Sequence, residues 1–78
     1  MLVYFICTGN TCRSPMAAAL YYKHLNDNGT NYVQVESGGL AAYEGDKVSD
    51  NAVEVCKELN VDISNHIAHR LRGKDLIR

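Results

Sequence analysis

Apolar positions along the chain follow two different patterns. Residues 2–6 form an unbroken apolar run, which is typical of a strand buried on both faces, and residues 32–36 predict a second strand. Between them apolar residues recur every three or four positions, as on one face of a helix. A strand, helix, strand order of this length predicts a parallel pair joined by a right-handed crossover. We therefore predict an α/β fold with residues 2–6 as the central strand.

Residues that are typical of helix ends mark both ends of the first predicted helix. Ser14 is a candidate N-cap and Pro15 suits the first helical position, where its missing N–H is not needed. Asn28 and Gly29 predict the end of the helix, because both residue types tolerate the conformation that ends helices.

A second helix is predicted after a loop that holds Gly38, Gly39 and Gly45. Ser49 or Asp50 would cap it. Its apolar stripe comprises Ala52, Val53, Cys56 and Leu59. Residues 64–75 are polar without a clear period.

Composition narrows the function classes. A chain of 78 residues forms one domain at most, and a net charge of -1 with both signs interspersed excludes the basic stripe that nucleic acid or an anionic membrane requires. No basic leader precedes a long apolar segment, so we expect a cytoplasmic protein with no membrane partner. Three cysteines, an odd number, favour thiols over a disulfide framework.

The strongest chemical signal is residues 7–15, CTGNTCRSP, between the first strand and the first helix. A glycine-bearing loop at this place directs several backbone N–H groups toward one point and forms an anion nest, which the helix dipole reinforces. Arg13 adds a bidentate fork for phosphoryl oxygens. The same positive field lowers the pKa of Cys7, so we expect Cys7 to attack phosphorus and form a phosphocysteine that water hydrolyses.

Other interpretations of this loop use the same residues. Cys7 and Cys12 could be half of a metal site, but Cys56 lies on an apolar helical stripe and His66 and His69 are distant in sequence, so we predict no metal. Phosphate binding without catalysis stays open, because a glycine turn alone is a weak signal. Cys56 is expected to be a core residue.

Three segments together carry a resemblance to a known family. Residues 7–17 resemble the phosphate-binding loop of the low-molecular-weight protein tyrosine phosphatases, a family that includes bacterial protein arginine phosphatases. Residues 36–39 resemble the family's turn after the second strand, and residues 61–66 with Arg70 and Leu71 resemble its later Asp-x-Ser-x-His segment. The resemblance implies a flavodoxin-like parallel sheet with flanking helices, of which residues 1–78 would be the N-terminal half, as a single partial domain.

The resemblance also implies roles for residues. Cys7 would be the nucleophile, Arg13 the phosphoryl clamp, and Ser14 a hydroxyl that hydrogen-bonds the thiolate and eases its departure. The phosphate would be bound by a loop that comprises Thr8, Gly9, Asn10, Thr11, Cys12 and Arg13. No cofactor is implied.

Further residues would support this loop. Asn10 would hold it in a left-handed conformation, and Ser37 and His66 would brace Asn10. Cys12 would trap Cys7 as a reversible disulfide under oxidation.

The sequence also departs from the family. Pro15 is its one proline, so no Asp-Pro pair supplies the family's general acid, and phosphoryl transfer should be slower by about 10²–10⁴-fold. Half a sheet would leave one edge of residues 2–6 exposed. We expect a homo-oligomer, or a complementing C-terminal fragment, to cover that edge together with the helix faces around Leu20, Val53 and Leu59, with Asp75 as a candidate carboxylate in trans.

These observations predict a protein phosphatase that acts on phosphotyrosine or phosphoarginine side chains of a protein substrate. Thr11 favours phosphoarginine, because the family's arginine-type members have threonine there. One alternative is a non-catalytic oxyanion-binding module. A second is arsenate reduction, against which Pro15 and the lack of a further exposed cysteine pair argue.

Overall fold

A computed structural model of the protein describes residues 1–73. Four elements follow one another along the chain, and they comprise β1 (Leu2–Cys7), α1 (Arg13–Asp27), β2 (Gln34–Gly39) and α2 (Asp50–Glu58). The two strands pair in parallel, from Leu2 opposite Gln34 to Cys7 opposite Gly39. The predicted α/β class with parallel strands is confirmed. Asp75 lies outside the described residues.

The second strand begins and ends later than predicted. It was expected at residues 32–36, but Tyr32 is 73% exposed and β2 continues to Gly39. The two glycines belong to the strand because other groups approach them closely. A Cβ atom on Gly38 would lie 2.8 Å from the Tyr4 hydroxyl, and one on Gly39 would lie 2.6 Å from the Thr8 carbonyl oxygen.

The expectation that β1 is buried on both faces is wrong. Its side chains are half-buried, and Ile6 is 46% exposed. The physical reason is the placement of the helices, since α1 packs on both strands whereas α2 packs on α1. Among residues 1–73 β1 pairs only with β2, so its position at the centre of a sheet stays a prediction.

Helix α1 begins two residues earlier than predicted, and Ser14 is not its N-cap. Cys12 occupies the cap position without a side-chain hydrogen bond, and Pro15 is the third helical residue. The Ser14 hydroxyl is turned toward Cys7 instead. The predicted end of the helix is confirmed, with Asn28 as the C-cap and Gly29 at a φ of +72°.

Helix α2 is capped as predicted, because the Ser49 hydroxyl accepts a hydrogen bond from the Ala52 N–H over 3.2 Å. Ala52 and Cys56 are buried. Leu59 is 50% exposed, which differs from the predicted stripe because the helix ends at Glu58 and Leu59 is its C-cap.

The core lies between α1, α2 and the chain that follows α2. Its buried residues are Val48, Ala52, Cys56 and Ile63, and side chains of α1 pack against them. The chain then returns beside β2, where Gly39 forms a bridge with Arg70. This arrangement leaves the carboxyl ends of both strands, with the 8–12 loop, at one edge of the molecule. No helix within residues 1–73 is long and apolar enough to cross a membrane.

Candidate phosphate-binding active site

The loop of residues 8–12 leaves the end of β1 and enters the start of α1. Neighbouring segments hold its backbone, since the Leu40 N–H donates to the Cys7 carbonyl and the Ala41 N–H to the Thr8 carbonyl, each over 2.9 Å. On the other side the Ser49 N–H donates to the Thr11 carbonyl over 2.7 Å. The loop is therefore fixed to the chain after β2 and to the cap of α2.

The thiol of Cys7 lies at the base of this loop. Its Sγ is 3.0 Å from the Ser14 hydroxyl and accepts a hydrogen bond from the Asn10 N–H over 3.2 Å. Partial burial favours the neutral thiol, but hydrogen bonds from Ser14 and from backbone N–H groups of the loop outweigh it. They hold the pKa of Cys7 below its ordinary value. Cys7 thus has the environment of a nucleophilic thiolate.

Asn10 is fully buried and has a φ of +54°, in the left-handed region. Its side-chain N–H₂ group donates to the hydroxyls of Ser14, over 2.7 Å, and Ser37, over 3.0 Å. Its side-chain oxygen accepts from the His69 N–H over 2.8 Å. Every hydrogen-bonding group of this buried amide has a partner, and these partners oppose rotation of the side chain.

His66 completes the surroundings of Asn10. Its Nε2 lies 3.0 Å from the Asn10 carbonyl oxygen and 3.2 Å from the side-chain oxygen. Because both partners are acceptors, Nε2 carries the proton in this arrangement. The structure therefore brings together residues from three segments of the sequence, Cys7, Asn10 and Ser14 from the first, Ser37 from the second and His66 from the third.

The other predicted site residues lie around the loop. Arg13 is exposed at the first residue of α1, and Thr8 is exposed at the loop's start. Gly9, Thr11 and Cys12 are half-buried. Concave backbone, the start of a helix and an exposed guanidinium together suit a tetrahedral oxyanion.

Comparison with known proteins places this geometry in a family. The family model for the low molecular weight phosphotyrosine protein phosphatase matches residues 2–78. The chain belongs to that family. It is 46% identical over 67 residues to an arsenate reductase of Staphylococcus haemolyticus, covering 86% of this chain and 46% of the relative. It is 42% identical over 71 residues to the protein-arginine-phosphatase of Bacillus subtilis, covering 91% of this chain and 46% of the relative.

Solved structures agree with the family assignment. The low molecular weight protein tyrosine phosphatase from T. tengcongensis superposes with a TM-score of 0.90 and 47% identity, over 97% of this chain and 52% of that one. The chain thus spans about half the length of the curated relatives it matches.

Sequence reasoning missed three residues that shape this phosphatase loop. Gly39 allows the loop to approach β2, since a Cβ atom there would lie 3.0 Å from the Asn10 N atom as well as against Thr8. His69 acts through its backbone N–H, which no sequence pattern identifies. Glu44 contacts the chain around His69. Of these three residues, only Gly39 has a recognisable sequence signal, because it is one of two adjacent glycines after a predicted strand.

Metal ligation has no candidate cluster within the part of the chain that the structure describes, where no three His, Cys, Asp or Glu side chains are grouped to hold an ion. Cys56 is fully buried in the core, and burial raises its pKa, with the nearby Cys12 adding to the effect. The pKa of Cys56 is therefore shifted upward, whereas that of Cys7 is shifted downward.

Proposed function

We propose that this chain is a cysteine-dependent protein phosphatase with Cys7 as its nucleophile. The observation that supports the proposal is the Cys7 sulfur within hydrogen-bond distance of the Ser14 hydroxyl and the Asn10 N–H, at the base of an oxyanion-shaped loop. Hydrogen bonds from neutral donors lower the pKa of Cys7 and so raise the fraction of thiolate, which is the nucleophilic form.

The proposed reaction has two steps. The Cys7 thiolate attacks phosphorus, the bond from phosphorus to the leaving atom breaks, and that atom takes a proton. Water then attacks the phosphocysteine and sulfur leaves as the thiolate, which the Ser14 hydroxyl stabilises. Arg13 and the loop N–H groups hold the phosphoryl oxygens in both steps.

Protonation of the leaving atom is the demanding part of the first step. With Pro15 as its one proline, the sequence has no Asp-Pro pair to act as the family's general acid. We propose that the 78-residue chain transfers phosphoryl groups efficiently only from good leaving groups, with a deficit of about 10²–10⁴-fold on others.

Phosphoarginine is the proposed physiological group. Thr11 supports it, and so does the 42% identity with a relative named as a protein-arginine-phosphatase. Leu40 and Tyr43 are 65% and 77% exposed on the segment that hydrogen-bonds the loop, so they offer apolar surface to the rest of a protein substrate. Phosphotyrosine is the competing substrate.

Arsenate reduction is the second candidate, favoured by the 46% identity with an arsenate reductase. Reduction of arsenate to arsenite takes two electrons, which two thiols must supply as they form a disulfide. Cys12 is half-buried next to the loop, whereas Cys56 is fully buried. Cys12 is therefore the one thiol of this sequence placed to pair with Cys7 and supply these electrons, and its partial burial makes arsenate the weaker substrate.

The test compares three substrates with one set of variants. Wild type, Cys7→Ser and Arg13→Ala are assayed with an activated aryl phosphate, a phosphoarginine peptide and arsenate plus a dithiol. We expect aryl phosphate and phosphoarginine turnover in wild type alone. Arsenite production without phosphatase activity would replace this proposal with the second candidate, and phosphate binding without turnover of any substrate would reduce the protein to an oxyanion-binding module.

We also propose that the edge of β1 takes a second chain, either another copy or a complementing C-terminal fragment. Within the described residues β1 has one strand neighbour, while Ile6 on the strand and Met1 just before it are exposed. Parallel sheets are normally covered on both faces, which supports the proposal. Sedimentation velocity over a dilution series should show a dimer that dissociates, and a compact monomer at every concentration would argue against self-association.

A further inference from the structure

Glu44 lies in the chain after β2, outside the predicted site. Its Oε1 accepts a hydrogen bond from the Arg70 N–H over 2.9 Å. The same oxygen is 3.2 Å from His69 Nδ1 and 3.6 Å from an Arg72 guanidinium nitrogen. The Arg70 N–H is the main reason that the pKa of Glu44 lies below its ordinary value. One carboxylate oxygen thus contacts three of the four residues 69–72 of the returning chain.

That returning chain, residues 66–71, we call the strap. Its backbone is bonded on two sides. The Ala68 N–H donates to the Asp46 carbonyl over 2.8 Å, and the Gly39 N–H donates to the His69 carbonyl over 2.9 Å. Side chains contact the strap as well, and the Glu44 carboxylate does so at the peptide that joins His69 to Arg70.

The peptide before the one that Glu44 holds is bonded to the phosphate loop. The His69 N–H donates to the side-chain oxygen of Asn10 over 2.8 Å, and the opposite side of that amide donates to Ser14 over 2.7 Å. Ser14 in turn lies 3.0 Å from the Cys7 sulfur. His69 joins this peptide to the one that Glu44 holds, so a displacement of the 69–70 peptide would also move the His69 N–H, the donor that orients Asn10.

We propose that Glu44 is a positioning residue for the phosphate loop, acting on Cys7 through the strap and Asn10. This inference rests on the proposed function, since it assigns a regulator of the same thiolate. It also connects the loop to the exposed Leu40 and Tyr43, because they belong to the segment that carries Glu44. A protein substrate bound to that segment would therefore contact the same segment that positions Cys7.

A positioning role and a purely structural role of Glu44 predict different effects on the stability of the fold. Glu44 is about half exposed, and exposed ion pairs contribute little to folding stability. Loss of its carboxylate should therefore leave the unfolding transition nearly unchanged, yet shift the reactivity of Cys7. The expected slowing of Cys7 alkylation near neutral pH is about three- to tenfold, the range for loss of one orienting hydrogen bond.

Asp62 provides a matched control. It is also an exposed carboxylate that accepts a backbone N–H, here of Ser64 over 2.9 Å, and its described hydrogen bonds stay within its own turn. Glu44→Gln is the conservative variant, since its amide oxygen still accepts the Arg70 N–H.

The experiment measures the alkylation rate of Cys7 against pH, with inorganic phosphate as the protecting anion, in wild type, Glu44→Ala, Glu44→Gln and Asp62→Ala. We expect Glu44→Ala alone to move the profile to higher pH, with Glu44→Gln close to wild type. A Glu44→Ala profile equal to that of wild type, or an equal shift in Asp62→Ala, would overturn the positioning role. A wild-type Cys7 that is neither reactive nor protected by phosphate would instead overturn the proposed function.

Discussion

The backbone N–H of His69 donates to the side-chain oxygen of Asn10 over 2.8 Å, although 59 positions separate the two residues. This contact ties the end of the described chain to the loop near its beginning. Asn10 then passes the constraint to Ser14, and Ser14 to the Cys7 sulfur. The reactivity of the thiol therefore depends on residues that the loop sequence does not contain.

Replacing Ser14 with alanine should raise the pKa of Cys7, because the hydroxyl stabilises the thiolate. Alkylation of Cys7 near neutral pH should slow, while Ser64→Ala, at an exposed serine bonded to Asp62, should leave it unchanged. In wild type the lowered pKa contributes stability above the unfolded-state value, and that contribution is lost as pH falls through the folded-state value. Equal profiles for Ser14→Ala and wild type would contradict this assignment.

Asn10→Ala should destabilise the fold by about 1–3 kcal/mol, because it leaves buried partners without hydrogen bonds. Alanine also tolerates the φ of +54° poorly. Chemical denaturation measures the change, with Asn26→Ala on the exposed face of α1 as the control. A midpoint equal to that of the control would show that Asn10 does not support the loop.

Gly39→Ala should distort the phosphate loop, because the added Cβ would lie 2.6 Å from the Thr8 carbonyl oxygen and 3.0 Å from the Asn10 N atom. We expect loss of phosphate protection of Cys7. Gly73→Ala is the matched control, since no atom lies within 4 Å of its added Cβ. Undiminished protection in Gly39→Ala would mean that the loop has more room than the close packing indicates.

Mild peroxide should join Cys7 to Cys12. The Cys7 thiolate is oxidised to a sulfenic acid, and Cys12 displaces water from it to form the disulfide. Peptide mapping should find this pair, and a dithiol should restore alkylation of Cys7. Cys56 should be absent from the main product, because its thiol is buried and its pKa is raised. A main disulfide that contains Cys56 would rule out this pairing.

Much of the fold could be predicted because local patterns and packing agree. The end of α1 at Asn28, the Ser49 cap and the parallel strands all follow from residue types at fixed spacings. The bounds of β2 could not be predicted, since glycine usually interrupts strands. Here Tyr4 lies over Gly38, and the approach of Thr8 to Gly39 favours the small residue.

The part of the candidate site that could be predicted consists of side chains that belong to recognisable sequence motifs. Cys7, Asn10 and Ser14 belong to one loop sequence, and the structure brings Ser37 and His66 to it. Backbone donors carry no such signal, which is why His69 was missed. Of the two roles predicted for Ser14, the helix cap is wrong, and its hydroxyl instead contacts the Cys7 thiol, as the other role requires.

The most direct test of the central claim is capture of the covalent intermediate. Wild type is mixed with an activated aryl phosphate, quenched within the first turnover and mapped by mass spectrometry, with Cys7→Ser as the control. The proposed mechanism predicts a phosphoryl group on the sulfur of Cys7, formed at the rate at which the aryl product appears. Release of aryl product with no phosphoryl group on Cys7 at any time, or undiminished release by Cys7→Ser, would contradict it.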